Sequence, residues 1–184
     1  MSTRRRPLVV LDRDGVLNED SPEFVKSAAE WRPLPGALEA VARLTQAGWR
    51  VVVATNQSGL ARGKFTYQAL HAMHQKCEHL LAALGGRIDG WFFCPHGPGD
   101  GCACRKPNTG LYDQIDRVFP GGFDGVPSVG DSLRDMAAAQ TVGATPVLVR
   151  TGNGRRTEAE LPANTTVQVA DDLAAVVSHL LNNR

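Results

Sequence analysis

The 184-residue sequence contains no apolar run approaching the roughly 20 residues that cross a bilayer, and its early arginines precede no hydrophobic segment of the signal-peptide kind. That pattern argues against a membrane span or membrane partner, and the expected location is the cytoplasm. A charge of one sign is also missing. Twenty basic residues stand against 19 acidic ones, a net charge of +1, so no long-range field draws the chain toward nucleic acid or an anionic surface. The one basic run, Arg4 to Arg6, reads as a solvated tail. Aromatic residues make up only 6%, and none interleave with a basic tract as a polynucleotide-binding track would require. No repeat or low-complexity segment is present. Cysteine is scarce, with four in all, yet three of them fall between positions 94 and 104.

What the chain does have is a 42% hydrophobic content, enough for a core, at a length that suits one domain over residues 1–184. Residues 7–11 form a short apolar, β-branched run that ends abruptly in charge, as a buried parallel strand does. Leu38, Val41 and Leu44 then recur at helical spacing up to Gly48, and residues 50–54 read as a second strand. The pattern continues with a helix over 66–84, a strand over 88–93, a helix over 110–118 and a strand over 126–129. A helix over 133–142 and strands over 146–150 and 166–169 follow, and a helix over 171–181 closes the chain, its early carboxylates matching the helix dipole. Alternating strands and helices predict an α/β, doubly wound, mostly parallel sheet, with ligands beyond the carboxyl ends of its strands.

Four such ends carry chemistry. The first strand runs into Asp12-Arg-Asp14-Gly15. Two close carboxylates can divide labour, one as nucleophile or metal ligand, the other, partly protonated in its neighbour's field, as acid and base. Alone, the same four residues also fit an ordinary Asp/Gly turn. The second strand ends in Thr55, Asn56, Gln57 and Ser58, whose hydroxyls and amides suit phosphate oxygens or a polar connection equally. Arg105 and Lys106 follow the third strand as a close cation pair, fit either to neutralise a phosphoryl group or to sit in solvent. The fourth end supplies Gly130-Asp131 with Asp135 one turn on; Asp131 could share a hard divalent cation with Asp12, or both acids could simply favour a helix start. Coinciding at four strand ends, these residues form an inventory for phosphoryl transfer to an enzyme carboxylate.

On Asp12-x-Asp14, Thr55, Arg105-Lys106 and Gly130-Asp131-x-x-x-Asp135 the chain resembles the haloacid-dehalogenase-like phosphatases, from about residue 8 to 154, and within them the histidinol-phosphatase-related group. The resemblance implies a Rossmann-like core with minimal cap and a monomer acting on a small phosphorylated sugar. The implied activity is Mg²⁺-dependent removal of the C7 phosphate of a heptose 1,7-bisphosphate, supplying heptose for lipopolysaccharide. In the roles so implied, Asp12 attacks phosphorus to give an aspartyl phosphate and Asp14 is acid and base. Thr55 and Lys106 hold the phosphoryl group, and Arg105 reaches the rest of the substrate. Asp12, the Asp14 carbonyl and Asp131 bind Mg²⁺, supported by Asp135. Many relatives have Lys after the Gly-Asp pair where this chain has Ser132, which shifts electrostatic work to Lys106. The loops 21–36 and 56–65 are expected to set specificity, with Arg62 and Lys64 either meeting the non-reacting phosphate or lying in solvent.

The Gly/Pro-rich stretch 94–107 could hold a metal, a redox pair or an active-site loop. Cys94-x-His96 with Cys102-x-Cys104 is a Cys₃His set suited to tetrahedral Zn²⁺ and matches the family's zinc loop. Four protein ligands leave no open coordination position, so the expected role is structural. Cys77, on an apolar helix face, reads as a core thiol, and His71, His74, His79 and His179 need no special role. The alternatives carried forward are histidinol-phosphate phosphatase, polynucleotide 3′-phosphatase, which the charge disfavours, and a zinc-stapled domain that binds a phosphorylated ligand without turnover.

Overall fold

A computed structural model describes residues 6–183. Six strands form one sheet, all in parallel: β1 (Leu8–Leu11), β2 (Arg50–Asn56), β3 (Gly90–Cys94), β4 (Pro127–Gly130), β5 (Thr145–Val149) and β6 (Gln168–Ala170). Their spatial order is β3-β2-β1-β4-β5-β6. The order reverses between β1 and β4, and the crevice above that point is where a doubly wound sheet binds its ligand.

Alternation along the strands decides which helices cover which face. Val9, Leu11, Val51 and Val53 point to one side with α1 (Ala37–Gln46), α2 (Tyr67–Ala83) and α6 (Leu173–Asn182). Leu8, Val10, Val52 and Ala54 point to the other with α3 (Gly110–Val118) and α4 (Leu133–Thr141). Each fully buried Val contributes on the order of 2 kcal/mol. Cys77 is completely buried among this core, and burial pushes its thiol up to about 12. No helix among the described residues is long and apolar enough to cross a membrane.

Helix ends follow local chemistry. Thr66 caps α2 by accepting a hydrogen bond from the Ala69 N–H, and Asp172 caps α6 by accepting from the Ala175 N–H, so that helix begins two residues after Asp171. Two features depart from the expected pattern. A helix not foreseen, α5 (Gly154–Glu160), follows β5; its sequence GRRTEAE carries no apolar period because it buries only Gly154 and Thr157. Arg6 is not a solvated residue: it donates to the carbonyls of Gly48 and Trp49 at 3.1 and 2.9 Å, capping the exit of α1. Arg4 and Arg5 lie outside the described residues. His74 is buried and stacked on Trp91, with ring centroids 3.9 Å apart.

Candidate active site

β1 delivers Asp12 and β4 delivers Asp131 on either side of the switch point, and the Asp12 N–H donates to the Val129 carbonyl at 2.8 Å, tying the two strand ends together. Lys106 arrives from beyond β3, 3% exposed, with its Nζ 2.6 Å from the Ala54 carbonyl, 2.6 Å from Asp135 Oδ1 and 3.1 Å from Asp12 Oδ1. Its three protons therefore each have an acceptor. Burial works against its charge, but Asp12 and Asp135 outweigh burial and hold the ammonium above its ordinary range.

The two carboxylates of the first strand end behave in the reverse of the expected sense. Burial, reinforced by Asp135 and Asp14 and opposed by Lys106, raises Asp12 to about 6. Burial would raise Asp14 as well. The Arg13 guanidinium, with hydrogen bonds from Asn18, Arg13 and Gln57, overcomes it and keeps Asp14 below the usual carboxylate range. Arg13, buried within the Asp-x-Asp itself, grips Asp14 at 2.7 and 2.9 Å through one nitrogen; Asn18 and Gln57 donate at 2.9 and 2.8 Å. Spacing suggested repulsion between Asp12 and Asp14; a residue read as a spacer supplies the dominant attraction instead.

Thr55, 1% exposed, accepts from Gln57 Nε2 at 3.0 Å. Asn56 exchanges two 3.0 Å hydrogen bonds with the Lys106 backbone, so its side-chain amide braces the lysine. Asp135 closes a capping box with Ser132 at the start of α4, which places it beneath Lys106; Ser132 thus serves as helix cap. Asp131 sits between two glycines. A Cβ on Gly15 would fall 2.1 Å from Asp131 Oδ2 and one on Gly152 2.3 Å from it. That same oxygen accepts from Asn153 N at 2.8 Å and Nδ2 at 3.1 Å, and the Asp131 carbonyl accepts from Thr157 Oγ1. Burial and then Asp12 push Asp131 up to about 7. The unforeseen helix α5 and its cap residue Asn153 are what aim this carboxylate.

A cavity of about 200 Å³ opens on Asp12, Asp14, Thr55, Gln57, Ser58 and Asp131. Arg13, Asn56, Arg105 and Arg134, with Asp20, Ser21, Phe24 and Val25, complete its wall. Arg62 and Lys64 are exposed and are absent from it; the Arg62 guanidinium lies 5.9 Å from the Phe24 ring centre. Asp12, Asp131 and Asp135 each bring a carboxylate oxygen within 4.8 Å of the others. Four carboxylates, Asp12, Asp14, Asp131 and Asp135, face two enclosed cations, Arg13 and Lys106, leaving two negative charges uncompensated. That donor set fits one hard divalent cation.

Beside the cavity, the Cys94, His96, Cys102 and Cys104 ligand atoms lie within 4.8 Å of one another. The separations are 3.6 Å from Cys94 Sγ to both His96 Nδ1 and Cys102 Sγ, 3.3 Å from His96 Nδ1 to Cys104 Sγ, and 3.7 Å from Cys104 Sγ to Cys102 Sγ. The edges of a tetrahedron with Zn–S of about 2.3 Å and Zn–N of about 2.0 Å are roughly 3.5–3.8 Å. The thiols are not paired as disulfides.

A buried aspartate at the switch point of a 3-2-1-4-5-6 sheet, faced by a hydroxyl, a buried lysine and a second acidic strand end, fits a haloacid-dehalogenase-like phosphatase. Comparison with known proteins agrees. A family model described as HAD-hydrolase-like matches residues 103–176, and one described as Polynucleotide kinase 3 phosphatase matches residues 8–131. The D-glycero-beta-D-manno-heptose-1,7-bisphosphate 7-phosphatase of Bordetella bronchiseptica is 58% identical over 95% of this chain and 97% of its own. That of Pseudomonas aeruginosa is 50% identical over 96% and 98%. The crystal structure of the B. bronchiseptica D,D-heptose 1,7-bisphosphate phosphatase, complexed with magnesium and phosphate, superposes with a TM-score of 0.94 at 56% identity, covering 97% of this chain and 99% of that one. The chain belongs to the family of heptose-1,7-bisphosphate 7-phosphatases.

Proposed function

We propose that this enzyme removes the C7 phosphate of D-glycero-β-D-manno-heptose 1,7-bisphosphate, leaving the 1-phosphate. The observation that carries the reading is near-full-length identity of 58% to a relative named for that reaction. The polynucleotide-phosphatase match ends at residue 131 and covers the stretch that carries Asp12, Thr55 and Lys106, chemistry common to phosphatases acting on different alcohols. The near-neutral chain offers a polynucleotide backbone little attraction.

In this reading an Asp12 carboxylate oxygen attacks the C7 phosphorus, the bond from phosphorus to the sugar O7 breaks, and O7 takes a proton from Asp14. Water then attacks the aspartyl phosphate, gives its proton to Asp14, and inorganic phosphate leaves as Asp12 is restored. Thr55 and Gln57 orient the phosphoryl oxygens, and Lys106 balances the charge that moves onto them. The acid role requires Asp14 to part from Arg13, since that ion pair favours the carboxylate. Asp12, Asp131 and the Asp14 carbonyl are the residues that would hold Mg²⁺. The Asp14 side chain is engaged by Arg13, Asn18 and Gln57, which leaves its carbonyl as the available donor. When bound, the cation neutralises carboxylate and phosphate charge at the site. Cys94, His96, Cys102 and Cys104 would hold Zn²⁺ as a structural ion that fixes the segment leading into Arg105 and Lys106.

Phosphate release should be followed with Mg²⁺ on both anomers of the heptose bisphosphate, on histidinol phosphate and on a 3′-phosphorylated oligonucleotide. The β anomer should give the highest kcat/KM with one equivalent of phosphate released, and Asp12→Asn should abolish turnover. A higher kcat/KM on histidinol phosphate or on the oligonucleotide overturns the substrate assignment.

A further inference from the structure

The mechanism above leaves His74 without a task, although two elements fix its ring. It lies on the buried face of α2, stacked on Trp91 of β3 with the planes 9° apart, and meets Phe93 of the same strand edge-on at 6.3 Å. Its Nε2 is buried and has no hydrogen-bond partner among the described residues. Burial and then the charge of Arg13 keep the ring neutral, with Asp14 acting in the opposite sense, so the ring sits behind the Arg13–Asp14 pair with one nitrogen free to accept.

Arg13 and Asn18 show the same incompleteness on the other side of the gap. Arg13, 1% exposed, spends its Nε and Nη2 on Asp14 at 2.7 to 3.0 Å, and its Nη1 is buried without an acceptor. Asn18 is wholly buried; its Nδ2 donates to Asp14 Oδ1 at 2.9 Å and to the Glu19 carbonyl at 2.8 Å, while its Oδ1 accepts from no described residue. One donor and two acceptors are thus unpaired around a single ion pair. Protein interiors answer such a set with an ordered water that makes about three hydrogen bonds. One water accepting from Arg13 Nη1 and giving its two protons to His74 Nε2 and Asn18 Oδ1 satisfies all three groups.

The acid step gives this arrangement a use. Asp14 must part from Arg13 before it can carry a proton, and a buried guanidinium bonded to that carboxylate alone would resist the parting or follow it. One that is also held at Nη1 stays in place. Resting on the acid role given to Asp14 above, we propose that His74 is a positioning residue: through an internal water shared with Asn18 it holds Arg13 from behind, so that Asp14 can leave the guanidinium and protonate the departing sugar oxygen.

The test uses leaving-group dependence. A sugar alkoxide needs a proton as it leaves phosphorus, whereas p-nitrophenolate does not, and kcat/KM reports each reaction only as far as the aspartyl phosphate. The native enzyme, Asp14→Asn, His74→Phe and His74→Gln are compared on the heptose bisphosphate and on p-nitrophenyl phosphate. His74→Phe keeps a ring on Trp91 and removes the acceptor; kcat/KM should fall about tenfold on the sugar and less than about twofold on the aryl ester. His74→Gln, which restores an acceptor, should recover most of the loss. A crystal structure of the native enzyme should show one water within about 3 Å of Nη1, Nε2 and Oδ1.

A general loss of structure lowers both substrates together, so an equal fall in His74→Phe overturns the proposal, as does no fall on the sugar. His74→Gln as impaired as His74→Phe, or no such water, overturns the hydrogen-bonded link. Equal losses on both substrates in Asp14→Asn overturn the acid role, and this proposal with it, while leaving the substrate reading intact. A native enzyme that hydrolyses the aryl ester but not the heptose bisphosphate overturns the substrate reading and the proposal alike.

Discussion

Lys106 Nζ and Asp135 Oδ1 are 2.6 Å apart, and both side chains are 3% exposed. Asp135 in turn is fixed by the Ser132 N–H and hydroxyl. Lys106 owes its position to this carboxylate as much as to Asp12.

Asp135→Asn should therefore harm catalysis and folding together. Removing one charge of a buried pair costs about 3–5 kcal/mol, so Tm should drop by on the order of 10 °C. Because Lys106 loses the anion that steers it, kcat should fall more than tenfold. Thermal melts and steady-state kinetics on the same preparation check both parts; a fully active, fully stable variant would contradict the arrangement.

The zinc loop should couple to the same lysine. Cys104→Ser removes one corner of the Cys₃His set immediately before Arg105 and Lys106. The purified variant should contain less than one zinc per chain by elemental analysis, and kcat should fall along with it. Zinc loss with unchanged kcat and stability would show that the loop positions nothing.

Asn153 should matter to the cation although it is not expected to bind it. Its two hydrogen bonds to Asp131 Oδ2 leave the other carboxylate oxygen to face the site. Outer partners of this kind typically change metal affinity 10- to 100-fold. Asn153→Ala deletes the Nδ2 contact and keeps the backbone one, so roughly tenfold weaker Mn²⁺ binding is expected by titration of the metal-free protein, with little change in Tm.

The acid limb of the stability curve should carry a contribution from His74. Burial, then Arg13, depresses it from 6.5 to about 3, and its Nε2 has no hydrogen-bond partner. Below pH 6.5 the unfolded chain takes up a proton at this ring that the folded chain refuses, so stability is complete above pH 6.5 and is lost progressively down to about pH 3. At pH 4.5 the loss is on the order of 3 kcal/mol. His74→Phe, which keeps a ring against Trp91, should reduce the difference in Tm between pH 7 and pH 5; an unaltered difference would rule out the ring as its source.

Much of the sheet could be read from local pattern because β1, β2 and β5 are short runs rich in branched aliphatics that end in polar or charged residues. The helices α1 to α4 and α6 announce themselves through apolar periodicity. Helix α5 does not, since its job is to present Asn153 and Thr157 to Asp131 rather than to bury a face. Arg13 escaped notice for a different reason. Within Asp-x-Asp it looks like filler, and only the turn at Gly15 and the approach of Asn18 and Gln57 make it the partner of Asp14. The Cys₃His spacing, by contrast, predicts a cluster that the fold brings to tetrahedral distances.

The two glycines flanking Asp131 also bound what this sequence can become. Their hydrogens occupy space where any side-chain carbon would stand 2.1 or 2.3 Å from a carboxylate oxygen, and both adopt positive φ, 78° and 56°. Neither position admits even alanine without displacing the acid between them. In a saturation library scored for phosphatase activity, Gly15 and Gly152 should be as intolerant as Asp12, although neither contributes a functional group.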